Sequence, residues 1–335
     1  GKGFYMPKLR VLFLLWGLIC LPVFAGSMHM PQADDHGPAG VMGDHTHHKG
    51  TFMVSYEYMN MISEGLQSGT SGLSNAEFFA NTSYTTAPQR MDMEMHMLGF
   101  MKAPSETLTL MLMLPYKQNR MRSVMANDSE MNMRTEGLGD VQLTALLSLG
   151  SKQKEDHTDY SHVNLGLSIP TGEIDEESNN MTAGYAMQLG SGTYDLIGEY
   201  VRKYDYDMAS IGFQSSGTLR LGKNSEDYKL GHKYHITTWA STSWSRRLSS
   251  SIRLQYQYEG QVDGSHADIT MMTNPTLDPA NTGGQSITLG LGSNYLLGKS
   301  KDSARLSIEY IYPLRQHFNG IQTQQTGTWL ATIQI

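Results

Sequence analysis

The chain has 335 residues, of which 17% are charged, and its formal net charge at neutral pH is −7. Soluble globular proteins carry about a quarter charged residues, so much of the polarity here comes from uncharged side chains. An acidic chain also lacks the basic face that a nucleic-acid partner requires, and we therefore exclude DNA and RNA binding.

Residues 1–25 have the features of a secretory signal peptide. Lys8 and Arg10 precede the apolar run 11–19, and Val23 and Ala25 place small residues before a cleavage site. The apolar run is shorter than the ~20 residues of a membrane-spanning helix. We predict a cleaved signal peptide over 1–25 with its natural start at Met6. Cleavage would remove Cys20, the single cysteine of the chain, so cysteine chemistry plays no part in the remaining prediction.

Residues 26–50 are rich in histidine and methionine, with Gly, Pro and Asp between them. Such a stretch has little apolar surface to bury, and we predict a disordered periplasmic segment. Imidazole binds copper, nickel and zinc, and thioether binds Cu(I). The candidate metal ligands are His29, His36, His45, His47 and His48. Because their spacing matches no defined site, we predict loose metal binding at most and no other cofactor, with a solvated linker as the alternative.

From residue 51 to residue 335 the apolar positions alternate with a period of two, which indicates strands with one apolar face. In one example Ile252, Leu254 and Tyr256 alternate with Arg253 and Gln255. Runs of about ten residues are long enough for a tilted strand to cross a bilayer. We predict about twelve strands, near 51–62, 90–102, 107–118, 138–149, 160–170, 193–203, 207–221, 232–247, 251–262, 285–297, 303–314 and 325–335.

The connections between these strands alternate in length. Residues 63–89, 119–137, 171–192 and 263–284 are long, 150–159, 222–231 and 315–324 are intermediate, and 103–106, 204–206, 248–250 and 298–302 are short. Long loops at one end and tight turns at the other are typical of outer-membrane barrels, and a soluble sandwich has no reason to sort its loops this way. The sequence therefore predicts an all-β, transmembrane, antiparallel up-and-down β-barrel over 51–335.

Candidate lumen residues follow from the cost of placing charges in lipid. On residues 91–101 the odd positions carry methionines, and the even positions include Asp92, Glu94 and His96. A charge on the lipid face costs several kcal/mol at mid-bilayer, so we assign Asp92, Glu94 and His96 to the lumen and the methionines to lipid. The other lumen candidates are Glu57, Asp195, Glu199, Arg220, Arg253, Glu259, Arg305 and Glu309. This mixed set could line a polar channel or pair across the lumen and hold it shut.

Catalytic motifs are absent from the sequence: we find neither a Gly-x-Ser-x-Gly elbow nor a His-Glu-x-x-His motif. A lipid-modifying barrel enzyme would need Ser and His on one outward stripe, and His235 with Ser241 or Ser243 has the right parity. Such pairs arise by chance in a Ser-rich barrel, so we predict that the protein is not an enzyme.

Four segments resemble a known family: 91–97 (MDMEMHM), 137–141 (GLGDV), 168–172 (SIPTG) and 187–195 (MQLGSGTYD). They are similar to the outer-membrane barrels grouped with the channel of the meta-pathway for phenol degradation. The resemblance implies uptake or export of small molecules, hydrophobic ones among them, with outer-membrane lipid and a small solute as partners. It does not explain the His/Met-rich segment. The alternative is therefore a metal-associated outer-membrane protein whose segment captures ions of the copper type.

Overall fold

The computed structural model describes residues 33–269, 272–298 and 303–335, so the predicted signal peptide and His29 lie outside the described residues. The described chain is almost entirely β-structure, with one short helix, α1 (Asn75–Asn81), and three 3-10 turns, Tyr185–Met187, Pro275–Leu277 and Pro279–Asn281. None of the helices in the described ranges has the length and apolarity to cross a membrane. The strands are β1 (Phe52–Gly69), β2 (Ser71–Leu73), β3 (Thr86–Lys102), β4 (Leu108–Met125), β5 (Glu130–Leu138), β6 (Val141–Gln153), β7 (His157–Ile169), β8 (Glu177–Ser178), β9 (Met181–Thr182), β10 (Tyr194–Tyr206), β11 (Ala209–Leu221), β12 (Tyr228–Lys229), β13 (Lys233–Ser245), β14 (Leu248–Glu259), β15 (Asp263–Gly264), β16 (Gly284–Leu296) and β17 (Arg305–Gln334).

Eleven of these strands form one antiparallel sheet that closes on itself. Around the barrel the order is β1, β3, β4, β6, β7, β10, β11, β13, β14, β16 and β17, and β17 pairs again with β1. Sequential neighbours pair throughout, as in an up-and-down barrel. Strands β2 and β5 extend the sheet outside this ring, and β8–β9 and β12–β15 form two small separate ladders. The predicted all-β antiparallel barrel is confirmed.

The last strand makes two passes along the wall. Residues 305–318 run antiparallel to β16, whereas residues 318–334 run antiparallel to β1. Neighbouring strands alternate in direction around the sheet, so β16 runs opposite to β1. A segment antiparallel to β16 and a segment antiparallel to β1 must therefore run in opposite directions. The chain of β17 reverses near Gly320, whose φ is +62°. Glycine tolerates this left-handed conformation because it has no Cβ. The wall therefore has twelve passes, as predicted, and no intermediate loop at 315–324.

The connections sort by length between the two ends. One end, called here the short-turn end, carries residues 103–107, 154–156, 207–208, 246–247, 297–298 and 303–304, together with the start of β1 and the end of β17. The opposite, long-loop end carries residues 70–85, 126–140, 170–193, 222–232 and 260–283.

Several strands are longer than a membrane requires, which changes how their residues are assigned. β1 and β4 have 18 residues each and β3 has 17, whereas about 9–11 suffice to cross a bilayer. The barrel wall therefore continues beyond the lipid at the long-loop end. Large apolar side chains face outward around the wall, among them Leu110, Leu165, Ile211, Leu254 and Ile308. Tyr56, Tyr116, Tyr234, Trp244 and Tyr256 are also exposed there, as expected of aromatic girdles.

Candidate functional site

The interior of the barrel at the short-turn end is filled by the chain itself. Residues 33–50, here called the plug, run through the lumen, and side chains of the wall bind the backbone of the plug. Asn294 donates to the carbonyl oxygens of Ala33, His36 and Gly37, at 3.2–3.4 Å. Arg305 also donates to the Ala33 carbonyl, at 3.1 Å.

The plug is held on the opposite side of the lumen as well. Lys203 donates to the carbonyl oxygens of Asp34 and Asp35 and forms an ion pair with Asp205. Ser243 donates to Oδ1 of Asp34 at 2.5 Å. Burial raises the pKa of Asp34, a shift that the Ser243 hydrogen bond and the charge of Lys203 partly oppose. The first residues of the plug therefore form hydrogen bonds with opposite sides of the barrel wall.

The middle of the plug crosses the lumen between polar groups. The backbone N–H of Gly40 donates to Oε2 of Glu309 at 2.6 Å. The carbonyl of Met42 accepts from Gln214 at 2.8 Å, and the carbonyl of Gly43 accepts from His162 and Asn164. A Cβ at position 40 would collide with Arg253 and Glu309, so this approach requires glycine.

This arrangement differs from the predicted disordered segment over 26–50, of which residues 33–50 are described. The plug has almost no apolar core of its own, and its main apolar contact is that of Val41 with Val201 and Trp239. Its backbone polar groups form hydrogen bonds with side chains of the lumen wall instead. A buried backbone group that has such a partner avoids the free-energy cost of an unpaired group. Residues 33–50 are therefore ordered by contacts with residues that are distant in the sequence.

Eight of the eleven predicted lumen residues face the interior. Arg253 and Glu309 form a buried ion pair, with Nε to Oε1 at 2.7 Å and side chains 3% and 0% exposed. Arg220 pairs with Asp195, which is fully buried. Glu199 accepts hydrogen bonds from Asn164, Ser216 and Gln214. The remaining interior members are Glu57, Arg305 and Glu259, the last paired with Lys233 at 3.2 Å.

Asp92, Glu94 and His96 lie on the outer face, which reverses the sequence assignment. Asp92 pairs with Arg90 at 2.7 Å, Glu94 with Arg120 at 3.5 Å, and His96 accepts or donates a hydrogen bond at 2.7 Å to Tyr56. The assignment assumed that this part of β3 crosses the lipid. Because β3 continues past the aromatic girdle at the long-loop end, its outward charges lie against neighbouring charges and pay no mid-bilayer penalty.

The methionines accordingly line the lumen. Met53, Met101, Met111 and Met113 form one buried cluster, against which Met42 of the plug and Met97 pack. Nearer the long-loop end, Met91, Met121, Met133 and Met187 form a second cluster with Ala183. Methionine side chains are apolar and conformationally flexible. The side of the lumen formed by β1, β3 and β4 is therefore apolar, whereas the side formed by β10 to β17 is polar.

Residues 170–193 at the long-loop end also fold into the barrel. The carbonyl of Met187 accepts from Asn119 and from Thr135, at 3.2 and 2.6 Å. Lys117 donates to the Leu189 carbonyl at 2.7 Å. Residues 170–193 therefore narrow the lumen at the long-loop end, whereas the plug fills it at the short-turn end.

Of the predicted metal ligands that the structure describes, His36, His45 and His47 are half-buried and His48 is exposed. His36 and His45 pack with ring centroids 3.8 Å apart, and His45 and His47 with centroids 4.7 Å apart. Burial, with the charge of Arg305, holds the pKa of His36 well below its ordinary value, and burial lowers the pKa of His47 to about 4. His48 is exposed at the short-turn end and contacts Glu106.

His235, Ser241 and Ser243, which were considered for lipid chemistry, face the lumen and not the lipid. Ser241 and Ser243 are buried in the lumen, Ser243 against the plug, and His235 shares their face of β13 by strand alternation. An enzyme acting on membrane lipid needs these groups on the outer surface. The pair therefore gives no support to that alternative.

The fold and the filled lumen define a class of protein: a closed transmembrane barrel of the kind found in Gram-negative outer membranes, with a plug inside. The chain belongs to the family described as "MetA-pathway of phenol degradation", whose sequence profile matches residues 74–313. This confirms the resemblance found in the sequence. A comparison with curated proteins gave no match.

One solved structure supports the fold, and two others show weaker similarity. An outer membrane channel from Pseudomonas putida F1 superposes with a TM-score of 0.63 at 12% identity, over 88% of this chain and 98% of that chain. The translocator domain of the autotransporter NalP from Neisseria meningitidis gives a TM-score of 0.39 at 10% identity, over 87% and 89%. The toluene transporter TodX from P. putida gives 0.37 at 8% identity, over 84% and 88%.

Proposed function

We propose that the protein is an outer-membrane channel for small molecules, hydrophobic ones among them, and not an enzyme. Its short-turn end and N-terminal segment face the periplasm, where short turns lie in outer-membrane barrels. The observation that carries the proposal is the plug: the obstruction at the short-turn end is residues 33–50, which are not part of the wall. Displacing this segment opens the short-turn end of the lumen without breaking a strand pairing.

The bonds that hold the plug suit a reversible closure. They are mostly single hydrogen bonds from wall side chains to plug carbonyls, such as those from Asn294 and Gln214. Each contributes about 0.5–1.5 kcal/mol net in proteins, and an open lumen would offer water to the same groups. A closure built this way can exchange with an open state.

The lining of the lumen favours solutes with an apolar body and a polar edge. The methionine clusters on β1, β3 and β4 offer adaptable apolar contacts. Opposite them, Glu199, Arg253 and Glu309 offer hydrogen bonds. A phenol-like molecule matches both sides, and the family description is consistent with this chemistry.

Single-channel recording tests the proposal. The mature chain from Gly26 and a variant lacking residues 26–50 are folded in detergent and inserted into planar bilayers, with heat-modifiable migration as the check that each barrel has folded. We expect rare openings from the mature chain and frequent, discrete conductance steps from the variant. Folded but silent barrels in both cases would overturn the proposal.

Solute preference is measured with the same variant in liposomes. We expect faster entry of phenol than of a charged solute of similar size, such as benzoate, because the methionine side of the lumen gains nothing from a full charge. Equal rates would contradict the proposed lining.

A further inference from the structure

Three histidines of the plug form a compact group inside the barrel. The imidazole rings of His36, His45 and His47 are in successive contact, with centroids 3.8 and 4.7 Å apart. One potential ligand atom each from His36, Asp44 and His45 lies within 4.8 Å of the others. The group joins two parts of the plug, one on each side of the crossing at Gly40.

Each of these rings carries a nitrogen that is buried without a partner. Among the described residues, no hydrogen-bond partner reaches Nδ1 of His36, Nε2 of His45 or Nε2 of His47. Buried polar atoms are nearly always paired, and each exception calls for an explanation such as an ion. The unpaired atoms on the adjacent rings of His36 and His45 point to one shared ligand, and the ring of His47 packs against His45 beside it.

The carboxylate of Asp44 fixes the orientation of the central ring. Its Oδ1 contacts Nδ1 of His45 at 2.7 Å, and its Oδ2 accepts from the backbone N–H of Gly37 at 2.5 Å. Histidines that bind metals characteristically donate their second ring nitrogen to a carboxylate in this way. His45 is thereby held with Nε2 directed away from Asp44.

The adjoining space has the size and lining for a soft metal ion. A cavity of about 50 Å³ is lined by His36 and His45 and by methionines of the first cluster, Met53, Met97, Met101, Met111 and Met113. One water needs about 10–15 Å³ by this kind of measure, so an ion fits. Imidazole with thioether is a donor set that favours copper, especially Cu(I), over harder cations.

We propose that His36 and His45 bind a copper ion inside the plug, with Asp44 positioning His45 and thioethers of the cavity completing the coordination. This site is independent of the channel proposal, and its test requires no conductance. Bound copper links residue 36 to residue 45, and so ties the two halves of the plug together.

Copper binding is measured on the full mature chain, folded in detergent and stripped with a chelator. Cu(I) is titrated under reducing conditions in competition with a chromogenic Cu(I) chelator, and bound metal is counted after gel filtration. We expect one equivalent of Cu(I). His36→Gln and His45→Gln should each weaken binding at least tenfold, and Asp44→Asn by about 10–100-fold, as for other residues that orient a ligand.

His48→Gln is the matched control, because His48 lies on the same segment but is exposed and outside the group. It should bind as the unmodified chain does, and heat-modifiable migration must show that every variant has folded. Equal weakening by His48→Gln, or unchanged binding by folded His36→Gln and His45→Gln, would overturn the site. X-ray absorption gives a second readout: imidazole and sulfur scatterers are expected, and a shell of oxygen alone would contradict the proposal. Tighter binding of Zn²⁺ than of Cu(I) would overturn the assignment to copper.

Discussion

The Arg253–Glu309 pair is the most buried ion pair of the lumen among the described residues, and it also receives the plug through Gly40. Glu309→Gln leaves the guanidinium buried without a counter-charge. Removing one partner of a buried pair costs about 3–5 kcal/mol, so we expect that loss in the free energy of unfolding. Urea titration in detergent, followed by heat-modifiable migration, measures it.

The matched control is Glu136→Gln, which removes the carboxylate of the exposed Arg134–Glu136 pair. Exposed pairs contribute about 0–1 kcal/mol. Similar losses for the two variants would show that the lumen around Glu309 is solvated.

Single residues also show where sequence reasoning succeeds and where it stops. Alternation places Arg253 and Glu309 inside correctly because both lie in strand segments that cross the lipid. Glu94 has the same alternation but lies past the lipid, where an outward charge is tolerated. The register gives the missing information: Glu57 pairs directly with Met97, and direct cross-strand partners share a face. That register is not readable from one sequence.

The plug is the element whose stability depends most on distant side chains. Asn294 binds three of its carbonyls, and Asn294→Ala leaves them without this donor. Unpaired buried groups cost about 1–3 kcal/mol, which corresponds to about a 5–150-fold larger population of released plug. The measurement is maleimide labelling of a cysteine introduced as Val41→Cys, which is buried in the closed state.

Asn75→Ala serves as the control for this experiment, because Asn75 lies on α1 at the long-loop end and contacts Gln89. It should leave the labelling rate unchanged. If Asn294→Ala also leaves it unchanged, Asn294 does not hold the plug.

Element lengths were predicted better than element surroundings. The predicted strands 207–221 and 285–297 differ from β11 and β16 by one or two residues at an end, because alternation and turn residues are local signals. Residues 33–50 have no local signal of order, since their partners are contributed by β7, β10, β11, β13, β16 and β17. Residues 170–193 also have partners that are distant in the sequence, such as Asn119 and Thr135, so their inward fold has no local signal either.

The position of the whole barrel in the membrane follows from its outer face. Leu254 is exposed midway along β14, between Leu248 at one end of the strand and Tyr258 at the other. A Lys at the bilayer midplane costs about 2–4 kcal/mol, so Leu254→Lys should reduce the free energy of unfolding in lipid vesicles by that amount. Gln118→Lys, on the outer face of β4 beyond Tyr116, should cost about 0–1 kcal/mol. Equal costs would place the lipid band elsewhere.

The closure of the barrel is a further property of the whole molecule, and truncation tests it. Removing residues 321–335 takes away the second pass of β17 and leaves β1 without that partner. Lipid-exposed strand edges are not tolerated in a bilayer. We therefore expect a truncated chain with no heat-modifiable form, whereas removal of Ile335 alone should preserve it.

The pairing of Ser55 with Gln334 also sets the order of events when the protein is made. The first strand of the wall to be synthesised pairs with the last strand of the wall, so it waits until every other strand has been made. During that time both sheet edges present unpaired backbone groups, which are prone to join other chains. Biogenesis therefore depends on keeping the exported chain from aggregating until its C-terminus arrives, after which closure and entry into the lipid can be completed together.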